Sequence, residues 1–148
     1  MNPMNIPDSI VQEITIKGSA ERIFEALTNP DQRITWWGVE GRFQVTHMES
    51  DLRFGGKWMM RGTGYGKSFT VKGEYFEIER PRLLVFTWLP DWQEDAVESV
   101  VRIELEEENG VTTVRLTHSG LTSETSRTSH KGWPQILTWL RAYIETSA

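Results

Sequence analysis

The sequence predicts one α+β domain: a curved antiparallel sheet of about six or seven strands around a long C-terminal helix, with two short helices after the first strand. Three observations carry this. The closing run GWPQILTWLRAYIE sets Trp133, Ile136, Leu137, Leu140 and Ile144 at three- and four-residue steps, which is one face of a helix. Thr138, Arg141 and Glu145 fall opposite, and Trp139 and Tyr143 widen the stripe on one flank. The middle of the chain alternates apolar and polar residues between turn signals, as half-buried strands do. Asn109-Gly110 between two such runs is the strongest hairpin signal in the chain. A helix so apolar on one side must bury that face, and the strand-rich middle is the surface available for it.

In order, Met1 to Asp8 reads as a flexible N-terminal arm with two Pro and two Asn, and residues 9–148 as a single domain. Ser9 to Lys17 is a strand with Ile10, Ile14 and Ile16 inward. Ser19 caps a first helix striped by Ile23, Phe24 and Leu27. Asn29-Pro30 opens a second, with Pro at the first helical position, and Trp36-Trp37-Gly38 closes it. Strands follow over Arg42–Glu49 (Phe43, Val45 and His47 on one side), Lys57–Arg61, Ser68–Glu79, Leu83–Leu89, Glu98–Glu106 and Val111–His118. Gly62 to Gly66 reads as a glycine-rich hairpin loop, and Gly73 marks a bend or bulge. The last helix either runs kinked from a Ser123 cap, Glu124 to Glu145 and about 33 Å long, or starts at Pro134 with proline in its first turn.

The totals set limits. A chain of 148 residues fits one domain with a substantial core. No Cys is present, so disulfides and thiolate metal sites are excluded and a reducing, cytoplasmic setting is expected. The N-terminus lacks the basic-then-apolar pattern of a signal peptide, and no apolar run reaches the length of a membrane span. Sixteen basic against twenty-one acidic residues argue against nucleic acid as a partner.

Few residues suggest chemistry. Gly66-Lys67-Ser68 resembles the end of a phosphate-binding loop, but Arg61 stands where that loop needs glycine, and a strand follows. His47, His118 and His130 show no metal-ligand spacing. Neither a metal nor another cofactor is expected, and no nucleophile motif supports catalysis. The residues expected to line a cavity are Trp36, Trp58, Met60, Tyr75, Trp88, Trp133 and Leu137, the mostly apolar lining of a small-ligand pocket; a filled aromatic core is the ordinary alternative. Glu77 shares strand parity with Tyr75, and His118 ends an inward-facing strand, so either could orient a polar ligand group.

The stretches SAERIFEALTNPDQRITWWG, ESDLRFGGKWMMRG, GEYFEIERPRLLVFTW and HKGWPQILTWL resemble the activator of heat-shock-protein-90 ATPase homologue family, in the START-like (SRPBCC) superfamily. The resemblance runs from about Ile10 to Ile144, through Trp36-Trp37-Gly38, Asp51 with Gly55-Gly56, the Pro81-to-Trp88 run and Gly132-Trp133; Pro134 departs from the pattern. It implies a helix-grip (START/Bet v-like) fold with a cavity between sheet and helix. Superfamily members include hydrophobic-ligand carriers, cyclases and stress proteins. The expected function is therefore non-enzymatic binding of a small hydrophobic or aromatic molecule. One alternative is a cyclase or hydrolase that pairs Glu77 with His118. Another is a chaperone-associated interaction module with a protein partner, using the acidic loop Asp91–Glu98 around Trp92.

Overall fold

The computed structural model describes residues 9–39, 42–91, 97–121 and 132–146. The arm at 1–8, most of the acidic loop with Trp92, and the segment holding Ser123, Glu124 and His130 lie outside the described residues.

The elements are β1 (Ile10–Lys17), α1 (Ala20–Thr28), α2 (Pro30–Trp36), β2 (Gly38–Val39), β3 (Phe43–Ser50), β4 (Lys57–Gly64), β5 (Lys67–Glu79), β6 (Leu83–Pro90), β7 (Ser99–Glu108), β8 (Val111–Ser119) and α3 (Trp133–Thr146). The strands form one antiparallel sheet in the order β1-β8-β7-β6-β5-β4-β3-β2. Seven are the expected strands, and the two-residue β2 is an added edge. From β3 to β8 every strand pairs with its neighbour in sequence, as short hairpins dictate. The sheet curls round α3, and the architecture is the helix-grip fold.

Local chemistry explains the boundaries. The Ser19 side chain accepts the Arg22 N–H at 3.1 Å and starts α1. Asn29 accepts the Asp31 N–H at 2.9 Å and starts α2, with Pro30 where no N–H is needed. Asn109 and Gly110 (φ 54° and 80°) turn β7 into β8, and Tyr65 and Gly66 (φ 53° and 80°) turn β4 into β5 in the same way. The expected five-residue glycine loop is therefore a two-residue turn, with Gly62 and Gly64 inside β4. The described part of α3 begins at Trp133, and the Ile136 N–H bonds the Gly132 carbonyl at 3.1 Å, so Pro134 sits in the first turn, where its missing donor costs no helical bond.

The core lies between the sheet and the helices. Trp133, Leu137, Leu140 and Ile144 of α3 are buried in it, with Ile136, Trp139 and Tyr143 half-buried beside them. The helix is tied down at its far end: Arg22 Nη2 donates to the Ile144 carbonyl at 3.1 Å, and a Cβ on Gly18 would fall 2.5 Å from the Ile144 side chain.

Two bulges re-aim side chains against simple alternation. The register of β3 against β4 shifts between Val45 and His47, so Met48 enters the core, while His47 turns outward to Glu49 at 2.9 Å. The register of β5 against β6 shifts between Tyr75 and Glu77. Tyr75 stays buried, Phe76 and Glu77 are both exposed, and Ile78 resumes the inward face. Gly73 marks a close approach instead of the register shift: a Cβ there would lie 1.8 Å from the Thr87 carbonyl oxygen, and the Thr87 hydroxyl takes the Glu74 N–H at 2.8 Å.

Candidate functional site

A cavity of about 790 Å³ opens between the start of α3, the β4–β5 hairpin and the inner face of the sheet. Its apolar wall includes Trp37, Phe43, Met60, Phe69, Trp88, Trp133, Ile136 and Trp139, and its polar rim Arg42, Lys67, Ser68, Asp91 and Gln135. Two glycines on β4 make room for part of this wall. A Cβ on Gly62 would meet the Gln44 carbonyl oxygen at 2.1 Å and the Phe69 ring at 2.9 Å, and one on Gly64 the Phe43 ring at 2.7 Å. The freed rings stack with centroids 4.9 Å apart. The floor is an indole cluster: Trp88 and Trp133 are 5.2 Å apart, Trp37 and Trp133 5.9 Å, and Trp37 and Trp88 6.3 Å.

Beneath the floor is a second space of about 10 Å³, room for roughly one water. Trp37, Trp133 and Ile136 border both spaces. Trp36, Leu137, Leu140, Phe86 and Arg33 are among the residues that close the inner one. Arg33 is only 4% exposed. Its Nη1 donates to the Leu27 carbonyl, and its guanidinium carbon lies 4.4 Å from the Trp37 ring centroid, a cation–π contact at i, i+4 spacing. Burial pulls its pKa down to about 10, while the nearby Tyr75 acts the other way. It is therefore a cation at neutral pH. Tyr75 shares a 2.6 Å hydrogen bond with Ser50, and burial pushes its phenol above the usual range.

His118 is fully buried and its bonding fixes its tautomer. The Trp133 indole N–H can only donate, so Nδ1, at 3.0 Å, accepts and carries no proton. The Ser99 hydroxyl donates to the Trp88 carbonyl at 3.2 Å, so His118 Nε2–H donates to Ser99 Oγ at 2.7 Å. The ring is thus neutral and holds Trp133 in place from behind.

Of the residues expected to line a cavity, Met60, Trp88 and Trp133 line the large one, and Trp36 and Leu137 the inner one. Trp36 is also an anchor between helices, its N–H donating to the Ala26 carbonyl at 2.8 Å. Trp58 and Tyr75 are core residues beside Phe86, at 5.4 and 6.3 Å, and border neither space. Glu77 is a correction: the bulge after Tyr75 puts it on the exposed side, away from the cavity. It therefore cannot pair with the buried His118, and the Glu77–His118 version of the enzyme alternative does not form. Trp37, Phe43, Phe69, Ile136 and Trp139 went unrecognised as lining residues. The sequence signal for the two Phe was the pair of strand glycines opposite them.

A family model described as activator of Hsp90 ATPase homolog 1-like protein matches residues 17–145. The chain belongs to this family. No curated protein matches it. Among solved structures, the family fold recurs in protein CV1439 from Chromobacterium violaceum, with TM-score 0.84 and 22% identity over 96% of this chain and 100% of that one. It recurs in protein NE0264 from Nitrosomonas europaea, with TM-score 0.81 and 18% identity over 99% and 100% of the two chains. CalU16 from Micromonospora echinospora matches with TM-score 0.68 and 24% identity over 95% of this chain and 81% of its own. At these identities the solved structures establish the fold alone. No described helix of this family member is long and apolar enough to cross a membrane.

Proposed function

We propose that the protein is a non-enzymatic, cytoplasmic binder of a small hydrophobic or aromatic molecule, held between the curled sheet and α3. The supporting observation is the aromatic-walled cavity of about 790 Å³, which lies in the size range of small-molecule sites. An open, aromatic-walled space of this volume suits a small apolar guest. Binding is driven by burial of apolar ligand surface against Trp37, Trp88 and Trp133, and the polar groups Arg42, Lys67 and Gln135 edge the mouth through which the ligand enters.

Native mass spectrometry of gently purified protein, followed by denaturation and analysis of released small molecules, tests this. The expected result is a stoichiometric apolar adduct recovered chemically unchanged. Its loss in Ile136→Trp, which puts an indole into the cavity, ties the adduct to this site. Wild-type protein that takes up no member of a panel of apolar and aromatic compounds overturns the reading.

A further inference from the structure

We propose, resting on the binder reading above, that the ligand is a hydrophobic carboxylic acid whose carboxylate passes the Trp37 and Trp133 indoles and pairs with the guanidinium of Arg33. A buried arginine is normally matched by a carboxylate, because an unmatched charge in the interior is costly. Arg33 forms no ion pair with any described residue, and it meets instead a backbone carbonyl, the Trp37 ring and the field of the Tyr75 phenol.

What surrounds it is short of acceptors. Arg33 Nε and Trp37 Nε1 are both buried donors without an acceptor. Both residues border the inner space, and the remaining wall there is apolar side chains. A guanidinium beside an indole N–H matches the two oxygens of a carboxylate better than any neutral group, because the fork donates two parallel charge-assisted bonds.

The inner space is too small for a carboxylate as it stands. Its partition from the large cavity is thin, however, made of Trp37, Trp133 and Ile136, which face both sides. His118 fastens Trp133 from behind. Trp37 has no comparable tether: its own N–H is unpaired. A turn of the Trp37 ring joins the two spaces and leaves the apolar body of the ligand in the larger one. The rim cations Arg42 and Lys67 favour an anion's approach on a chain of net charge −5.

The test is calorimetric titration at pH 7 with matched pairs: decanoate against decanol, and 1-naphthylacetate against 1-naphthylacetamide. Wild-type protein should bind each acid at least about tenfold more tightly than its neutral partner, the lower end of a charge-assisted bond's contribution. Arg33→Met should lose that preference and keep its affinity for the neutral compounds. Arg33→Lys, which keeps the charge without the fork, should keep part of it, and serves as the readout if the Met variant does not fold. Arg42→Gln with Lys67→Gln should leave the preference in place. Equal affinities for acid and neutral partner in wild-type protein, or a preference that vanishes with the rim cations instead of with Arg33, overturns the assignment while the binder reading stands. Failure of every compound to bind removes both.

Discussion

Replacing Trp133 by Phe removes one N–H and takes the indole donor away from His118 Nδ1 in the interior, where His118 is 0% exposed and Trp133 only 3%. A buried acceptor left unpaired costs about 1–3 kcal/mol. The smaller ring adds about 1 kcal/mol of cavity cost at ~24 cal/mol per Å³. The sum, about 3 kcal/mol, should lower Tm by roughly 10 °C for a chain of this size. His118→Leu makes the reciprocal error: the indole N–H loses its acceptor, at about 1–3 kcal/mol, while Ser99 keeps its bond to the Trp88 carbonyl. In the double variant neither orphan remains, so its cost should fall short of the sum of the singles by about 2 kcal/mol or more. Urea unfolding followed by far-ultraviolet circular dichroism on all four proteins measures this coupling directly. Additivity within about 0.5 kcal/mol would show that the bond does not hold Trp133, and the account of the cavity floor would fall with it.

Three further outcomes are expected. Gly73→Ala puts a Cβ 1.8 Å from the Thr87 carbonyl oxygen and should cost more than about 3 kcal/mol, read as a large loss of urea midpoint or of soluble protein; near-wild-type stability would mean that β5 and β6 are not so closely apposed. Arg33→Met removes an unmatched buried charge but also frees the Leu27 carbonyl, so the two effects should offset to within about 2 kcal/mol; a drop in stability larger than about 2 kcal/mol would make Arg33 a structural residue first. Burial raises the Tyr75 pKa above its ordinary 10.0, so on the alkaline side the unfolded chain gives up this proton before the folded one does. The Tyr75 contribution is complete below pH about 10 and is lost as pH rises through the folded value, so the stability advantage of wild type over Tyr75→Phe should shrink from about pH 10 upward; urea midpoints across that range check the sign.

Elements were legible where one residue type had one job. The caps Ser19 and Asn29, the Asn109-Gly110 turn and the α3 stripe stand where short-range chemistry demands them. The errors came from long-range geometry. Strict alternation points His47 and Glu77 inward, and each lies just beyond a bulge whose extra residue shows only in the pairing with the next strand. Trp36 was preferred to Trp37 because periodicity cannot say which of two adjacent indoles a helix end turns toward a cavity. Nothing in the sequence singles out Arg33, since only the packing of α2 against β3 and α3 shows that its side is closed. The Tyr65-Gly66 turn was hidden by its neighbours: three glycines in five residues read as loop, although two of them thin the β4 strand for aromatic rings.

The crowding of Trp37, Trp88 and Trp133, with Trp36 5.3 Å from Trp37 and Trp58 5.7 Å from Trp88, has a consequence for observing the molecule. Indoles at such separations share their excited states, so the cluster should give a strong signed couplet in circular dichroism and a fluorescence yield governed by the mutual tilt of the rings. Any guest that displaces the Trp37 ring changes that tilt. The protein therefore carries its own optical gauge of occupancy, and a spectrum taken without dye or label would register both the arrival of a guest and the side of the indole floor on which it rests.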